Sequence, residues 1–321
     1  MKGKLISHYK ILEKPVEDGM GFRRINMKIN HTKTVICLFV FLLCAFILAG
    51  TESWVLILQE MSWVEVKEYL KTNKMVIIPL GSTEQHGPHL PLGTDYYEAM
   101  AITKTISEQT GVIVAPVIWV GYSLYHSGFP GTLSLKPETM EQVLFETVEM
   151  LMKYGFDRFM FFNYHGGNNI VQSKIIHRIN HTTEAIAISI GHGSKLQQEA
   201  DDEEEFFDWH SGKNETSIML YLRPDLVKME RAKKPMITFT PRMKELRELS
   251  KKFPELLEVW SSLLGVPVIT KKGGASHELS SNGIWSFSDP NEATRKIGEQ
   301  TVNKMVTKAV KFIEAWKLGK K

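Results

Sequence analysis

Thiols are almost missing from this 321-residue chain: Cys37 and Cys44 are its two cysteines, and both fall inside one apolar run. Their absence downstream excludes disulfides and thiolate nucleophiles there, and it obliges any bound metal to take histidine and carboxylate ligands. Long apolar stretches are scarce as well. Only 35–49, VICLFVFLLCAFILA, is continuous, about the length of a signal-peptide core and shorter than the roughly 20 residues of a usual membrane-spanning helix. A strong charge of one sign is also lacking. The formal net charge is +3, yet residues 1–34 alone hold eight Lys/Arg against three Asp/Glu, so the remainder is slightly acidic. No basic stripe follows, which sets nucleic acid aside as a partner.

Lys28 and Lys33 precede the apolar run, and Ala49, Gly50, Thr51 and Ser53 follow it. That order predicts export, with Met27 as a compact start for the signal. Residues 1–53 are therefore expected to be a basic arm plus a signal peptide or membrane anchor, and 54–321 the folded domain. Left uncleaved, the positive flank predicts a cytoplasmic N-terminus, a membrane tether through 35–49 and a domain outside. A start at Met61 would instead give a cytoplasmic protein and remove the strand expected at 54–58.

Within the domain, short apolar runs at 75–80, 112–116, 158–163 and 185–190 have the length and composition of buried strands. Helices are expected between them: 96–110 before Gly111, 137–154 between a first-turn Pro137 and Gly155, and 168–180 after a glycine pair. Two amphipathic helices, near 242–264 and 291–316, close the chain, joined through the Gly/Ser-rich loop 273–283. Strand and helix alternate, which predicts an α/β fold, a mainly parallel sheet between two helical layers, with its site in loops at the carboxyl ends of the strands. The acidic run 199–205 is expected to be a solvated loop.

Chemistry concentrates in four segments. PLGSTEQHGPHLPLGTD, 79–95, leaves a strand with Glu84, His86, His89 and Asp95 within twelve positions. In extended chain Glu84 and His86 share a side, and the Gly/Pro turns that follow can return Asp95 to the same cavity. Asp95 as a helix cap and the histidines as hydrogen-bonded loop residues is the plainer alternative. NYHGGN, 163–168, puts His165 at another strand end, and Gly166 and Gly167 there would let backbone approach a ligand and offer N–H groups to an oxyanion; a tight turn would use the same glycines. DWHSGKNETS, 208–217, supplies His210 and Glu215, with Trp209 beside them, although helix capping by Ser211 or Asn214 fits its spacing equally. YHSGFPGTLSL, 125–135, could form a pocket wall through His126 and Phe129.

Together these segments resemble the creatininase family of amidohydrolases, whose members show a G-S-x-E-Q-H-G-x-H-L-P-x-x-T-D loop, an N-x-H-G-G-N turn and an H-x-G-x-x-E-T-S segment. The resemblance spans roughly 56–318 and implies a three-layer α/β/α fold. It also implies two divalent ions per chain, of Zn, Mn or Fe type, suited to imidazole and carboxylate. Carried over residue by residue, Glu84 and His165 would hold one ion, His86 the other, and Asp95 both. Creatininase has a carboxylate two positions after the matching histidine, where this chain has Gly167; Glu215 is the nearest substitute. The implied reaction is hydrolysis of a carbon–nitrogen bond in a small cyclic or linear amide by a metal-activated water, with His210 as proton shuttle and Glu215 beside it. His126, Gly166, Gly167 and Trp209 would contact substrate. Creatininase carries an aromatic clamp four positions before its catalytic histidine, and Phe206 occupies that place here. A homo-oligomer is implied as well. From another class, a non-catalytic extracellular metal- or solute-binding protein would share the fold, but it has no need of a proton shuttle.

Overall fold

Alternation at every second residue decides how the central strands are covered. In β1 (Met75–Leu80), Val76, Ile78 and Leu80 face one apolar cluster while Met75 and Ile77 face another. β3 (Arg158–Asn163) repeats this, with Phe159 and Phe161 on the first side and Met160 and Phe162 on the second. Both strands are buried throughout, as strands between two helical layers must be. β2 (Ile113–Val114) and β4 (Ile186–Ser189) complete a sheet of order β2-β1-β3-β4, with every pairing parallel. The α/β/α expectation holds.

This computed structural model describes residues 55–191 and 208–319. The arm and apolar run of 1–53, the acidic run 199–205 and Phe206 lie outside the described residues. Among those described, no helix is long and apolar enough to cross a membrane.

The first face is covered by α1 (Trp63–Tyr69), α3 (Pro137–Tyr154) and α4 (Asn169–Thr182), through Val66, Met140, Leu144, Val148, Val171, Ile175 and Ile179. Ser62 and Glu65 close a capping box that starts α1. On the second face lie α2 (Thr94–Thr110), α5 (Lys213–Leu222) and α9 (Arg295–Leu318), contributing Ile102, Ile106, Ile218, Val302, Val306 and Ile313. A smaller cluster of Met243, Trp260, Leu279 and Trp285 gathers α6 (Pro241–Lys252), α7 (Leu256–Ser262) and α8 (Ser276–Leu279).

Several boundaries differ from expectation. The helix expected over 242–264 is two, because α6 ends at Lys252, capped by Phe253, and Pro254 has no N–H with which to continue it. Only Ile113–Val114 of 112–116 pairs as strand, and of 54–58 the described part makes one isolated bridge, Ile57 to Val114. The final helix begins at Arg295, where the Thr294 side chain accepts from the Ile297 N–H, rather than at 291.

Candidate metal centre

Strand register brings the first two motifs together. Leu80 pairs with Asn163 at the carboxyl ends of β1 and β3, and the loops carrying Glu84 and His165 leave from there side by side. Asn168 clamps them: its Nδ2 donates to Gly81 O at 3.0 Å and its Oδ1 accepts from the Tyr122 N–H at 3.0 Å. Asp95, the second residue of α2, is reached because Gly81 packs directly on the α2 backbone; a Cβ there would stand 2.8 Å from Tyr96 Cα. Asp95 is not the helix N-cap, a place taken by Gly93.

The third motif arrives through strained backbone. Trp285 N–H donates to His210 O at 3.0 Å, fixing His210 as an isolated bridge, and Ser211 then takes a left-handed φ of 59°. That conformation is uncommon for a non-glycine residue and gathers at functional sites. It lets the Ser211 N–H donate to Glu215 Oε2 at 2.5 Å, which holds the carboxylate in the first turn of α5. Asp208, whose role the sequence reading missed, accepts from the Asn214 N–H at 2.6 Å and anchors that turn.

Glu84, His86, Asp95, His126, His165 and His210 are all buried, and Glu215 nearly so. Three of the histidines share one arrangement. His86 Nδ1 lies 3.0 Å from Glu84 O, His165 Nε2 lies 3.0 Å from Tyr122 O, and His210 Nε2 lies 2.7 Å from Gln85 O. A carbonyl only accepts, so each of these nitrogens carries the hydrogen. The opposite nitrogens face carboxylates: His86 Nε2 is 3.2 Å from Asp95 Oδ1 and 3.5 Å from Glu215 Oε1, His165 Nδ1 is 3.1 Å from Asp95 Oδ2, and His210 Nδ1 is 3.7 Å from Glu84 Oε1. A lone pair aimed at a carboxylate is repulsive unless a proton or a cation stands between them. Histidines that bind metals are oriented in this way, their far N–H spent on a carbonyl.

His126 differs. Gln85 Oε1 accepts from the Gly87 N–H, which orients the amide, so Gln85 Nε2 donates to His126 Nδ1 at 3.1 Å. The His126 hydrogen therefore sits on Nε2, 3.2 Å from Glu84 Oε1. His126 was expected to line the substrate pocket; here it holds Glu84. Gln85, missed in the sequence, also reaches Ser276 Oγ and Gly283 O at 3.2 and 3.0 Å, joining both halves of the chain behind the histidines.

Electrostatics divide the histidines in two. Burial alone would lower His86, but the Glu215 and Asp95 carboxylates overcome it and hold the ring well above the usual imidazole range. Glu84 and Asp95 do the same for His165 against the same burial. His126 and His210 are pushed well below that range, first by burial and then, against the pull of Glu84 on His126 and Asp95 on His210, by neighbouring histidines. Asp95 resists its own burial and stays well below the carboxylate range because His86 and His165 flank it.

These residues fit a metal centre. Donor atoms of Glu84, His86 and Asp95 lie within 4.8 Å of one another, as do those of His86, His210 and Glu215, of Glu84, His126 and His210, and of Asp95, Glu98 and Glu215. Glu84 Oε2 stands 3.3 Å from His165 Nε2 yet receives no aligned hydrogen bond, since that N–H points to Tyr122 O. The two oxygens of Asp95 face different histidines, the arrangement of a bridging carboxylate.

Of the residues expected to contact substrate, Gly166 has open space where a Cβ would stand, so its backbone is approachable. Gly167 is hemmed in: a Cβ there would collide with Tyr122 O and His165 Nε2. Trp209 packs edge-on against Trp285 at 5.4 Å and is 40% exposed, beside the buried His210.

Comparison with known proteins accords with this geometry. Residues 59–313 match the family model Creatininase, described as creatinine amidohydrolase. A mycofactocin precursor peptide peptidase of Mycolicibacterium smegmatis is 31% identical over 258 residues, covering 75% of this chain and 85% of its own length. A 3-dehydro-scyllo-inosose hydrolase of Thermotoga maritima is 31% identical over 180 residues, 54% of this chain and 58% of its own. A solved manganese creatininase shares the fold with a TM-score of 0.61 at 22% identity, over 82% of this chain and 98% of its own. The match over most of the domain, on the segments that build the centre, shows that the chain belongs to the creatininase family.

Proposed function

We propose that this protein is a metal-dependent hydrolase cleaving the carbon–nitrogen bond of a small cyclic or linear amide. The observation that carries it is the shared arrangement of His86, His165 and His210, each with one N–H fixed on a backbone carbonyl and the other nitrogen turned to a buried carboxylate. Glu84 and His165 would hold one divalent ion, His86 and Glu215 a second, and Asp95 both. Such ions supply Lewis-acid polarisation of a carbonyl and a water acidic enough to attack near neutral pH. The protein's own groups do the rest. Burial keeps the His210 ring neutral, so Nδ1 can take a proton from the attacking water and pass it to the leaving nitrogen. The Gly166 backbone, open to approach, would offer its N–H to the developing oxyanion. A non-catalytic binding protein would have no use for a neutral imidazole so placed.

The test is elemental analysis of the purified full-length chain, alongside hydrolysis of lactams, formamides and short peptides with and without chelator. Bound divalent metal with chelator-sensitive release of amine is expected. Bound metal with no turnover of any amide would support the binding-protein alternative, and absence of metal would overturn the centre.

Loading is expected to be proton-coupled. Because His86 and His165 sit well above the usual imidazole range in the metal-free protein, each ion must displace a proton, and apparent affinity should rise with pH through neutrality. Titration calorimetry with Zn²⁺ in buffers of different protonation enthalpy measures the release. A pH-independent affinity would count against these ligands.

The apolar run 35–49 and its positive flank support a domain held outside the cytoplasm, cleaved free or tethered; family membership supports a homo-oligomer. Cell fractionation with protease protection distinguishes an exported domain from a cytoplasmic one.

A further inference from the structure

Glu98 stands one helical turn beyond Asp95, on the same side of α2. It is 0% exposed, and neither carboxyl oxygen has a hydrogen-bond partner among the described residues. Beyond it along the helix, Ala99, Ile102 and Ile106 are buried and apolar. An acid buried without a partner is costly to keep, and a purely structural position would take an apolar side chain instead. One oxygen of Glu98 lies within 4.8 Å of an oxygen of Asp95 and one of Glu215. Oxygens bound to one ion at about 2.0–2.2 Å stand at most about 4.4 Å apart, so closing this set on a cation takes no more than a rotamer adjustment.

The rest of the centre gives that cation a reason to need Glu98. Position 167 has no room for a side chain, since a Cβ there would collide with Tyr122 O and His165 Nε2. His165 faces Asp95 Oδ2, whereas His86, which lies 3.5 Å from Glu215 Oε1, faces Asp95 Oδ1, so His165 belongs with the first ion rather than the second. Glu98 is the carboxylate on that side with both oxygens buried and without a hydrogen-bond partner among the described residues.

We propose that Glu98 is a ligand of the second divalent cation, completing with His86, Asp95 and Glu215 a one-histidine, three-carboxylate site that favours a hard ion such as Mn²⁺. It rests on the metal-dependent reading above and extends it to a residue outside all four sequence motifs. Three carboxylates against one imidazole move preference away from Zn²⁺ and toward oxygen-loving ions.

The test uses full-length protein, Mn²⁺ as the probe, and Glu98→Gln, which keeps the shape and removes the charge. Wild type is expected to bind two Mn²⁺ and to show a spin-coupled paramagnetic resonance spectrum. E98Q is expected to keep the first ion, bind the second on the order of 10–100-fold more weakly, and lose the coupling. Metal-free E98Q should melt no lower than metal-free wild type, because the change removes an unpaired buried acid; its thermal shift on adding Mn²⁺ should shrink. E98Q binding both ions with wild-type affinity and a coupled spectrum overturns Glu98 as a ligand and leaves the dinuclear centre standing. An equal loss of stability with and without Mn²⁺ also overturns it, as the mark of a structural residue. Wild type that never binds a second ion overturns the dinuclear centre itself, and the assignment of Glu98 with it.

Discussion

Asp95→Ala is expected to empty the centre of both cations, so that elemental analysis finds little metal in a folded protein and amide turnover disappears. Its two oxygens face His86 and His165 separately, so it touches both halves of the centre. Ser82 Oγ, which donates to Asp95 Oδ2 at 2.7 Å, would lose its acceptor, a modest cost of about 1 kcal/mol. The larger effect is on metal-linked stability. A ligand at a hundred times its dissociation constant stabilises the folded state by about 2.7 kcal/mol, or roughly 5–10 °C in a chain of this size, and the variant should show none of that increment. A variant that keeps both ions and the increment would remove Asp95 from the bridging position.

His210→Ala separates chemistry from assembly. Its expected outcome is retention of both ions with kcat reduced about 10²–10⁴-fold, the usual contribution of a positioned acid–base group. The ring must be neutral to accept a proton. Burial keeps it so, well below the usual imidazole range, so activity that depends on it is present above that depressed value and lost as pH falls through it. The acid limb of the wild-type kcat/KM profile should therefore lie below pH 6.5, the usual imidazole value. Loss of an ion in this variant would give another answer: donor atoms of His210, His126 and Glu84 lie within 4.8 Å of one another, and His210 would then be a ligand.

Legibility in the sequence followed the range of the forces involved. The sheet was readable because β1 and the middle of β3 are continuous apolar runs and the helices between them end on Gly111 and Gly155, both left-handed caps. Helix ends at Arg295 and Lys252 were not, because a side-chain cap at Thr294 and a single proline at 254 outweigh continuous amphipathic patterning. Glu84, His86, Asp95 and His165 come together because their loops leave adjacent strands. Gln85 was invisible as a hub, since its partners His126, Ser276 and Gly283 lie up to 198 positions away. Glu98 was within reach: residues 95, 98, 99, 102 and 106 trace one buried side of α2, and a second acid one turn beyond Asp95 on a buried side signals a partner. The missing information about Gly167 was steric, the closeness of Tyr122 O, which no spacing of residues reveals.

The pairing of Leu80 with Asn163 has an evolutionary consequence. Adjacent strands stand about 4.8 Å apart whatever the chain does between them, so the ladder works as a fixed ruler for the two loops it launches. Insertions and deletions in the outer helices α3 and α4, or in the turns that follow them, leave that ruler unread and the chemistry in place. A shift of one residue in the β3 ladder is different, because it would turn every side chain of the strand to the opposite face and carry His165 away from Asp95. Descendants of this chain are therefore freest to change length in the turns around α3 and α4, and bound to keep those twelve paired positions in step.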